Sequence, residues 1–380
     1  MSDCLSLCCA NLDTIRHSSN RNRPLKNKIL TENRGLWRIV ICAIILNFQF
    51  SIHNSLQAQV AGGTSYAALD MPASARAAGV GFDFMSLYDD DLTLALGNPS
   101  LVSDRMAGRM AVGFMNIFAG ANFGSVAYCH NFEHLGAFTF GLRFDNWGRF
   151  DGYDETDTPT GSFNAADYVF TVGWGRAIDE HVSIGVNFSP ILSHYEHYSS
   201  FAFGIDLAAT YMSLDKAFSA TLMGRNIGTQ VTTFAGTSER LPFELSMVGS
   251  YKLHDAPFRL MFALTELQTW DLTYEDPLNP TTHTDPFTGE VSGPTSVARF
   301  ADKLFRHLNV GIELNIKQSF FARLGYSYRQ MVEMKAADAF NLSGFSVGFG
   351  IHAKKFDLAF SRNGYHLSQA ANYINISFRL

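Results

Sequence analysis

From residue 108 onward, apolar residues alternate with small or polar ones. Phe138, Phe140, Leu142 and Phe144 alternate with Thr139, Gly141, Arg143 and Asp145. Leu308, Val310, Ile312, Leu314 and Ile316 alternate with Asn309, Gly311, Glu313, Asn315 and Lys317. Phe345, Val347, Phe349 and Ile351 alternate with Ser346, Gly348, Gly350 and His352. A period of two predicts strands with one apolar face. Each run is about the ten residues that a tilted strand needs to cross a bilayer.

The alternation predicts fourteen strands, near 108–117, 122–131, 136–148, 166–177, 181–193, 200–212, 216–227, 241–253, 257–268, 305–317, 319–331, 342–354, 356–363 and 370–380. A soluble sandwich would alternate too, but loop lengths separate the cases. Connections after even-numbered strands are short. Several after odd-numbered strands are long: 149–165, 228–240, 269–304 and 332–341. Short turns on one rim and long loops on the other predict an all-β fold, a transmembrane antiparallel barrel of the outer-membrane kind. An even strand count places both termini on the short-turn, periplasmic side. A closed barrel pairs every backbone N–H and C=O without leaving an edge in lipid. Arg143, Asp206, Arg225, Glu244, Arg259, Glu313 and Arg323 share the phase of the small polar residues, so they should face the lumen. On the lipid face an arginine at mid-depth would cost about 2–4 kcal/mol. Trp147 and Trp174 fall near strand ends, where an aromatic girdle sits.

Residues 1–58 read as a targeting segment. Arg21, Arg23, Lys26, Lys28, Arg34 and Arg38 form a basic region, Ile39 to Leu46 an apolar core, and Ala58 a small residue for cleavage. The first thirty residues are compatible with an upstream start. Without this segment the net charge becomes about −10, which gives no electrostatic reason to bind nucleic acid. Four of the five cysteines lie within it, so Cys129 alone remains and no intramolecular disulfide or cysteine metal site is expected.

Residues 59–107 do not alternate. They form an Ala-rich segment with turns at Met71-Pro72 and Asn98-Pro99, and are expected to plug the barrel spanned by 108–380. Ser74, Arg76 and Gly79, then Asp89 and Asp90, then Asn98 and Pro99 follow the order "S-A-R-A-x-G … D-D … N-P-[AS]-L". This order resembles the long-chain fatty acid transporter superfamily, whose N-terminus plugs a fourteen-strand barrel. Further runs resemble the PorQ family of the type IX secretion system: Asn164 to Tyr168, Pro242 to Leu245, Ala256 to Arg259, Trp270 to Tyr274, Phe300 to Lys303, Phe305 to His307 and Arg323 to Tyr326. The resemblance implies a non-enzymatic outer-membrane component of the cell-surface attachment complex, with PorZ-like, PorU-like and PorV-like surface partners and lipopolysaccharide nearby. The last strand, ending Ile374, Ile376, Phe378 and Leu380, resembles the C-terminal signal read by the barrel-assembly machinery, with Leu in place of the usual Phe.

Other constellations carry weaker chemistry. Asp89, Asp90 and Asp91 read as a plug turn with solvated or paired acids rather than a cation site. Asp154, Glu155 and Asp157 lack the ligand order of a calcium loop. His194 and His197 fall on opposite faces of a strand, which argues against chelation. No serine has a partnered His and acid at a recognised spacing, so neither an enzyme nor a cofactor is expected. In the longest connection, Trp270, Leu272, Tyr274 and Phe287 offer apolar anchors for a surface partner. The alternative function is a fatty-acid-transporter-like channel for hydrophobic small molecules. It requires an apolar luminal pocket, whereas the legible luminal set is mostly Gly, Ser, Thr, Arg and Glu.

Overall fold

The structure is a computed structural model. It describes residues 65–380 except 118–119, 237, 274–282, 285–290, 318, 335–342, 354 and 365–369. The targeting segment 1–58 lies outside the described residues. So do Tyr274 and Phe287.

The strands are β1 Arg109–Asn116, β2 Asn122–Phe132, β3 Gly136–Tyr153, β4 Pro159–Ala177, β5 Val182–Tyr195, β6 Tyr198–Met212, β7 Phe218–Thr232, β8 Glu244–Lys252, β9 Phe258–Leu264, β10 His283–Thr284, β11 Val291–Ser292, β12 Leu308–Ile316, β13 Phe320–Ser327, β14 Phe345–His352, β15 Phe356–Asn363 and β16 Ala371–Arg379. Strands β10 and β11 form a separate two-stranded sheet, and the other fourteen close into one antiparallel barrel. Closure is made between β1 and β16, from Arg109 opposite Arg379 to Asn116 opposite Asn372.

Register puts apolar residues opposite apolar residues on the outside. Val112 pairs with Val126 on one side and Ile376 on the other. Leu142 faces Phe170, and Phe349 faces Phe360. All of these are exposed, whereas the intervening Ala111, Thr139, Ser361 and Asn375 are buried. An apolar exterior around a polar, small-residue interior is the arrangement of a membrane-spanning barrel.

The rims are asymmetric in the expected sense. Between strands, 133–135, 178–181, 213–217, 253–257, 317–319 and 353–355 turn on one rim. The opposite rim carries 233–243, 265–307 and 328–344. Strand ends shift by a few residues, β7 running on to Thr232 and β9 stopping at Leu264, and three larger differences from the sequence expectation stand out. First, the connection expected over 149–165 is mostly strand: β3 and β4 run on as a ribbon to Tyr153 and Pro159. Its turn is closed by the Asp154 carboxylate, which accepts from the Thr156 hydroxyl and from the amides of Thr158 and Thr156 and sits below the usual carboxylate range for that reason. Polar residues on both faces hide such a ribbon from a search for alternation. Second, the strand expected to reach 331 stops at Ser327, whose side chain caps the short helix Tyr328–Glu333. Third, 305–307 belong to the helix Ser296–His307, capped by Thr295. Pro190 also interrupts the β4–β5 ladder. Val169 opposite Ile191 is followed next by Val172 opposite Phe188, because proline has no N–H to give.

Candidate functional site

The segment 65–107 is built from short capped turns. We name the helices α1 Ala75–Ala78, α2 Leu92–Gly97, α3 Ser296–His307 and α4 Tyr328–Glu333. Ser74 caps α1 by accepting from the Arg76 amide, and its hydroxyl meets Thr93 Oγ1 at 2.8 Å. Asp91 caps α2 through the Thr93 amide. Asn98 caps the 3-10 turn Pro99–Leu101, with Pro99 in its first turn. Its amide nitrogen donates to Met85 O at 2.9 Å. Each cap gives a partner to a first-turn amide that would be costly to leave unpaired inside the lumen.

The same segment is tied to the inner wall along its length. Tyr66 Oη lies 2.6 Å from Ser200 Oγ, and the Ser65 amide donates to Glu239 at 2.9 Å. Ser100 Oγ lies 2.6 Å from Thr210 Oγ1. The Ala75 amide donates to Asn375, and Ser219 donates to Ser86 O. The segment therefore runs from the long-loop rim, near Tyr66, to the short-turn rim, where Gly108 O accepts from the Leu380 amide. The start of β1 and the end of β16 share the short-turn rim, while Ser65 lies at the other.

Two ionic clusters fix it. Arg76 forks onto Glu313, with Nε–Oε2 at 3.2 Å and Nη2–Oε1 at 3.3 Å, and its Nη1 meets Asp89 at 2.5 Å and Asp91 at 3.5 Å. Arg323 holds the same Glu313 at 2.7 Å. In the second cluster Arg225 binds Glu244 at 3.0 Å and Asp83 at 3.5 Å and donates to Leu69 O at 2.8 Å. Arg143 similarly donates to Ala68 O at 2.7 Å. Of the seven charges expected in the lumen, Arg143, Arg225, Glu244, Glu313 and Arg323 thus act in holding this segment. Asp206 accepts from the Asn226 amide, and Arg259 donates to Ser250 Oγ at 3.0 Å. Asp90, in the left-handed backbone region, pairs with Arg105 at 3.0 Å.

Glycines of the wall set the seating distance. A Cβ on Gly348 would stand 3.0 Å from Gly79 Cα, and one on Gly311 would stand 2.9 Å from Val80 Cβ. Gly325 lies against the Val80 backbone, and Gly175 and Gly185 lie against that of Pro99. The sequence motif singled out Gly79 and Pro99 but not their partners. The available signal was glycine at inward-phase strand positions.

Space remains on both sides of the segment. A cavity of about 610 Å³ near the short-turn rim is lined by Arg76, Asp91, Arg259, Glu313, Arg323 and His352, among others. A smaller one of about 80 Å³ lies beside the Pro190 interruption, against Thr171, Ser189, Ile191, Leu69 and Arg225. The larger mixes these charged groups with apolar ones such as Phe258, Phe321, Ile351 and Leu358.

At the long-loop rim, residues 265–273, α3 and α4 are joined by polar contacts. Lys303 Nζ meets Asp271 at 2.6 Å. That bond and those from Thr273 hold the Asp271 carboxyl at about 2. Arg306 and Tyr328 both donate to Asp302 at 2.8 Å, and Arg329 bridges Glu266 and Glu333 at 3.3 and 2.9 Å. Trp270 stacks on His307 with ring centroids 5.7 Å apart and touches Phe300, while Leu272 O accepts from Arg306. Trp270 and Leu272 thus enter this cap, but their joint use as partner anchors with Tyr274 and Phe287 concerns residues outside those described. Among the described residues no cluster of His, Cys, Asp or Glu is arranged to hold a metal. His194 pairs instead with Ser199 and His197 with Glu196. Cys129 is free and buried.

No family model and no curated protein matches the sequence. Among solved structures, the chain is similar to the toluene transporter TodX of Pseudomonas putida, with 12% identity, 82% of this chain and 98% of that one covered, and a TM-score of 0.47. It is also similar to a FadL homologue of Pseudomonas aeruginosa, with 11% identity, 82% and 99% covered, and a TM-score of 0.45. The KdgM porin follows with 8% identity, 72% and 99% covered, and a TM-score of 0.31.

Proposed function

We propose that this chain is a non-enzymatic outer-membrane barrel, closed by its own N-terminal segment, that anchors surface partners rather than conducting solutes. The observation that carries this reading is the attachment of 65–107 to the wall. Two buried ionic clusters, three capped turns and a set of wall glycines hold the segment across the lumen. A barrel stiffened in this way is a base for the structures on its long-loop rim. The resemblance to the PorQ family names the process, type IX secretion, and the partners, PorZ-like proteins beside PorU-like and PorV-like ones. On this reading the long-loop rim faces outward and the strand ends at Arg109 and Arg379 face the periplasm.

The test replaces Asp276–Ser296 by a short Gly/Ser linker, which leaves every barrel strand unchanged. Affinity capture from detergent-solubilised outer membranes should recover surface proteins with the parent barrel. With the linker variant they should appear in the growth medium while barrel abundance stays normal. Full partner retention by the variant would remove this loop from the docking site and move attention to the β3–β4 ribbon. Capture of no surface protein by the parent would remove the anchoring role.

A second reading, passage of hydrophobic small molecules, has one observation in its favour. The β4–β5 ladder is interrupted at Pro190, and the 80 Å³ cavity lies directly behind that interruption. Uptake of a labelled aromatic hydrocarbon by cells with and without the protein separates the two. Uptake that depends on the protein and is lost when β5 is sealed by Pro190→Val would favour passage over anchoring.

A further inference from the structure

Helix α3 is mounted inside out. Its sequence, Ser-Val-Ala-Arg-Phe-Ala-Asp-Lys-Leu-Phe-Arg-His, is amphipathic: Val297, Phe300 and Leu304 recur at helical spacing, with Ala301 and Phe305 beside them. The opposite face carries Arg299, Asp302, Lys303 and Arg306. A helix on a water-soluble body buries its apolar face. Here Arg306 is 7% exposed and His307 3%, whereas Val297, Phe300, Leu304 and Phe305 are 78%, 56%, 42% and 48% exposed. The polar face is the one fastened to the protein, through Arg306 to Leu272 O, Lys303 to Asp271, and Asp302 to Tyr328. The apolar face, with the half-exposed Trp270 against Phe300, points away from it.

Two observations say what covers that face. The first is continuity with the outer wall. Phe305 meets Tyr328 at 6.0 Å between ring centroids. Tyr328 directly follows β13, whose outward Tyr326 meets Phe345 of β14 at 4.9 Å. Leu324, Phe345 and Val347 continue the exposed apolar surface down these strands. The second is height. A membrane-crossing strand needs about 9–11 residues when tilted. Strands β9, β12, β13 and β14 have 7, 9, 8 and 8 residues, against 18 and 19 in β3 and β4. From β8 round to β1 the strands alone fall short of the apolar band or barely fill it, and α3 runs directly into β12 without a linker, at the long-loop end of that stretch.

We propose that α3 lies in the outer-leaflet interface and completes the lipid-facing band where the strands are short, with its apolar face in the acyl region and Trp270 as an interface anchor. Arg299, on the flank of that face, stands at the level of anionic headgroup phosphates. The occupant is thus lipid, continuous with that around the barrel, and this rests on the membrane-barrel reading above. It also removes Trp270 from the surfaces available to a protein partner, leaving the more distal part of the same connection for docking.

The experiment uses the mature protein in phosphatidylglycerol-containing vesicles, with Cys129 replaced by Ala. Nitroxide labels are placed singly at L304C and F300C, at L207C on the outward face of β6, and at T156C in the β3–β4 turn. Collision with oxygen and with a water-soluble nickel chelate is read by electron paramagnetic resonance. Leu207 should favour oxygen and Thr156 nickel. The labels at Leu304 and Phe300 should favour oxygen, as Leu207 does, at a depth of about 5–10 Å below the headgroups. A preference for nickel at both α3 positions, with Leu207 favouring oxygen, would place the helix in water and overturn the proposal. Weak collision with both reagents would show the face covered by protein and would overturn it equally. Failure of Leu207 to favour oxygen would instead overturn the barrel reading itself.

Discussion

Replacing Arg76 by methionine is expected to detach the luminal segment from the wall while leaving the barrel folded. Arg76 is nearly buried, and three carboxylates, Glu313, Asp89 and Asp91, point at it. Without it Glu313 keeps Arg323, but the cluster passes from two cations facing three acids to one. Removing one partner from a buried charged pair costs about 3–5 kcal/mol, since the remaining charges stay desolvated. The loss should fall on the segment and not on the barrel, whose strands are joined by ladders that Arg76 does not touch. Hydrogen exchange in detergent micelles is the readout: amides of 66–107 should lose protection while those of β1–β9 keep theirs. Arg76→Lys should recover only part of the protection, because an ammonium cannot reproduce the two-point fork onto Glu313. In the pair R76M/E313Q the two losses should be less than additive, since the residues share one contact. Full protection of 66–107 in R76M would show that caps and hydroxyl contacts suffice and that the ionic cluster is dispensable.

Gly325→Ala should produce a comparable effect by a different route. A Cβ at Gly325 would overlap the backbone carbonyl of Val80, which cannot rotate away as a side chain could. Overpacking typically costs about 1–3 kcal/mol, occasionally more, and a backbone-on-backbone overlap belongs at the upper end. The expected result is a segment pushed out of register near Gly79 and Val80, seen as new protease cleavage between 72 and 91 with the barrel band still heat-modifiable on gels. Gly124→Ala is the matched control. No atom lies within 4 Å of its Cβ position, so proteolysis should match the parent. Unchanged cleavage in Gly325→Ala would mean that the segment does not sit against β13.

These two contacts also mark the limit of what the sequence reveals. The strands were legible because lipid imposes a strict alternation: Val112 and Phe114 must face out, and Ala111 and Met115 in, so the register was written in the residue types. The inward phase of Arg225, Glu244, Glu313 and Arg323 was legible for the same reason. Their partners were not. That Glu313 receives Arg76 from 237 positions earlier, or that Gly325 is bare to admit Val80, depends on how the chain folds back into the lumen. Helix α3 was hidden for another reason. Its apolar side faces outward, and the Pro- and Gly-containing stretch before it reads as loop, so the whole of 269–304 was expected to be irregular. The β3–β4 ribbon beyond Arg149 was missed because, away from the apolar band, neither face of a strand has to be apolar.

Planar-bilayer conductance tests most directly whether this barrel is shut by its own chain. The intact mature protein should insert with a conductance close to the bilayer baseline. Deletion of Tyr66–Asp91 removes Arg76, α1 and the N-cap of α2 while sparing every strand, and should raise the conductance well above that of the intact protein. A large, steady open conductance from the intact protein, unchanged by the deletion, would contradict the account.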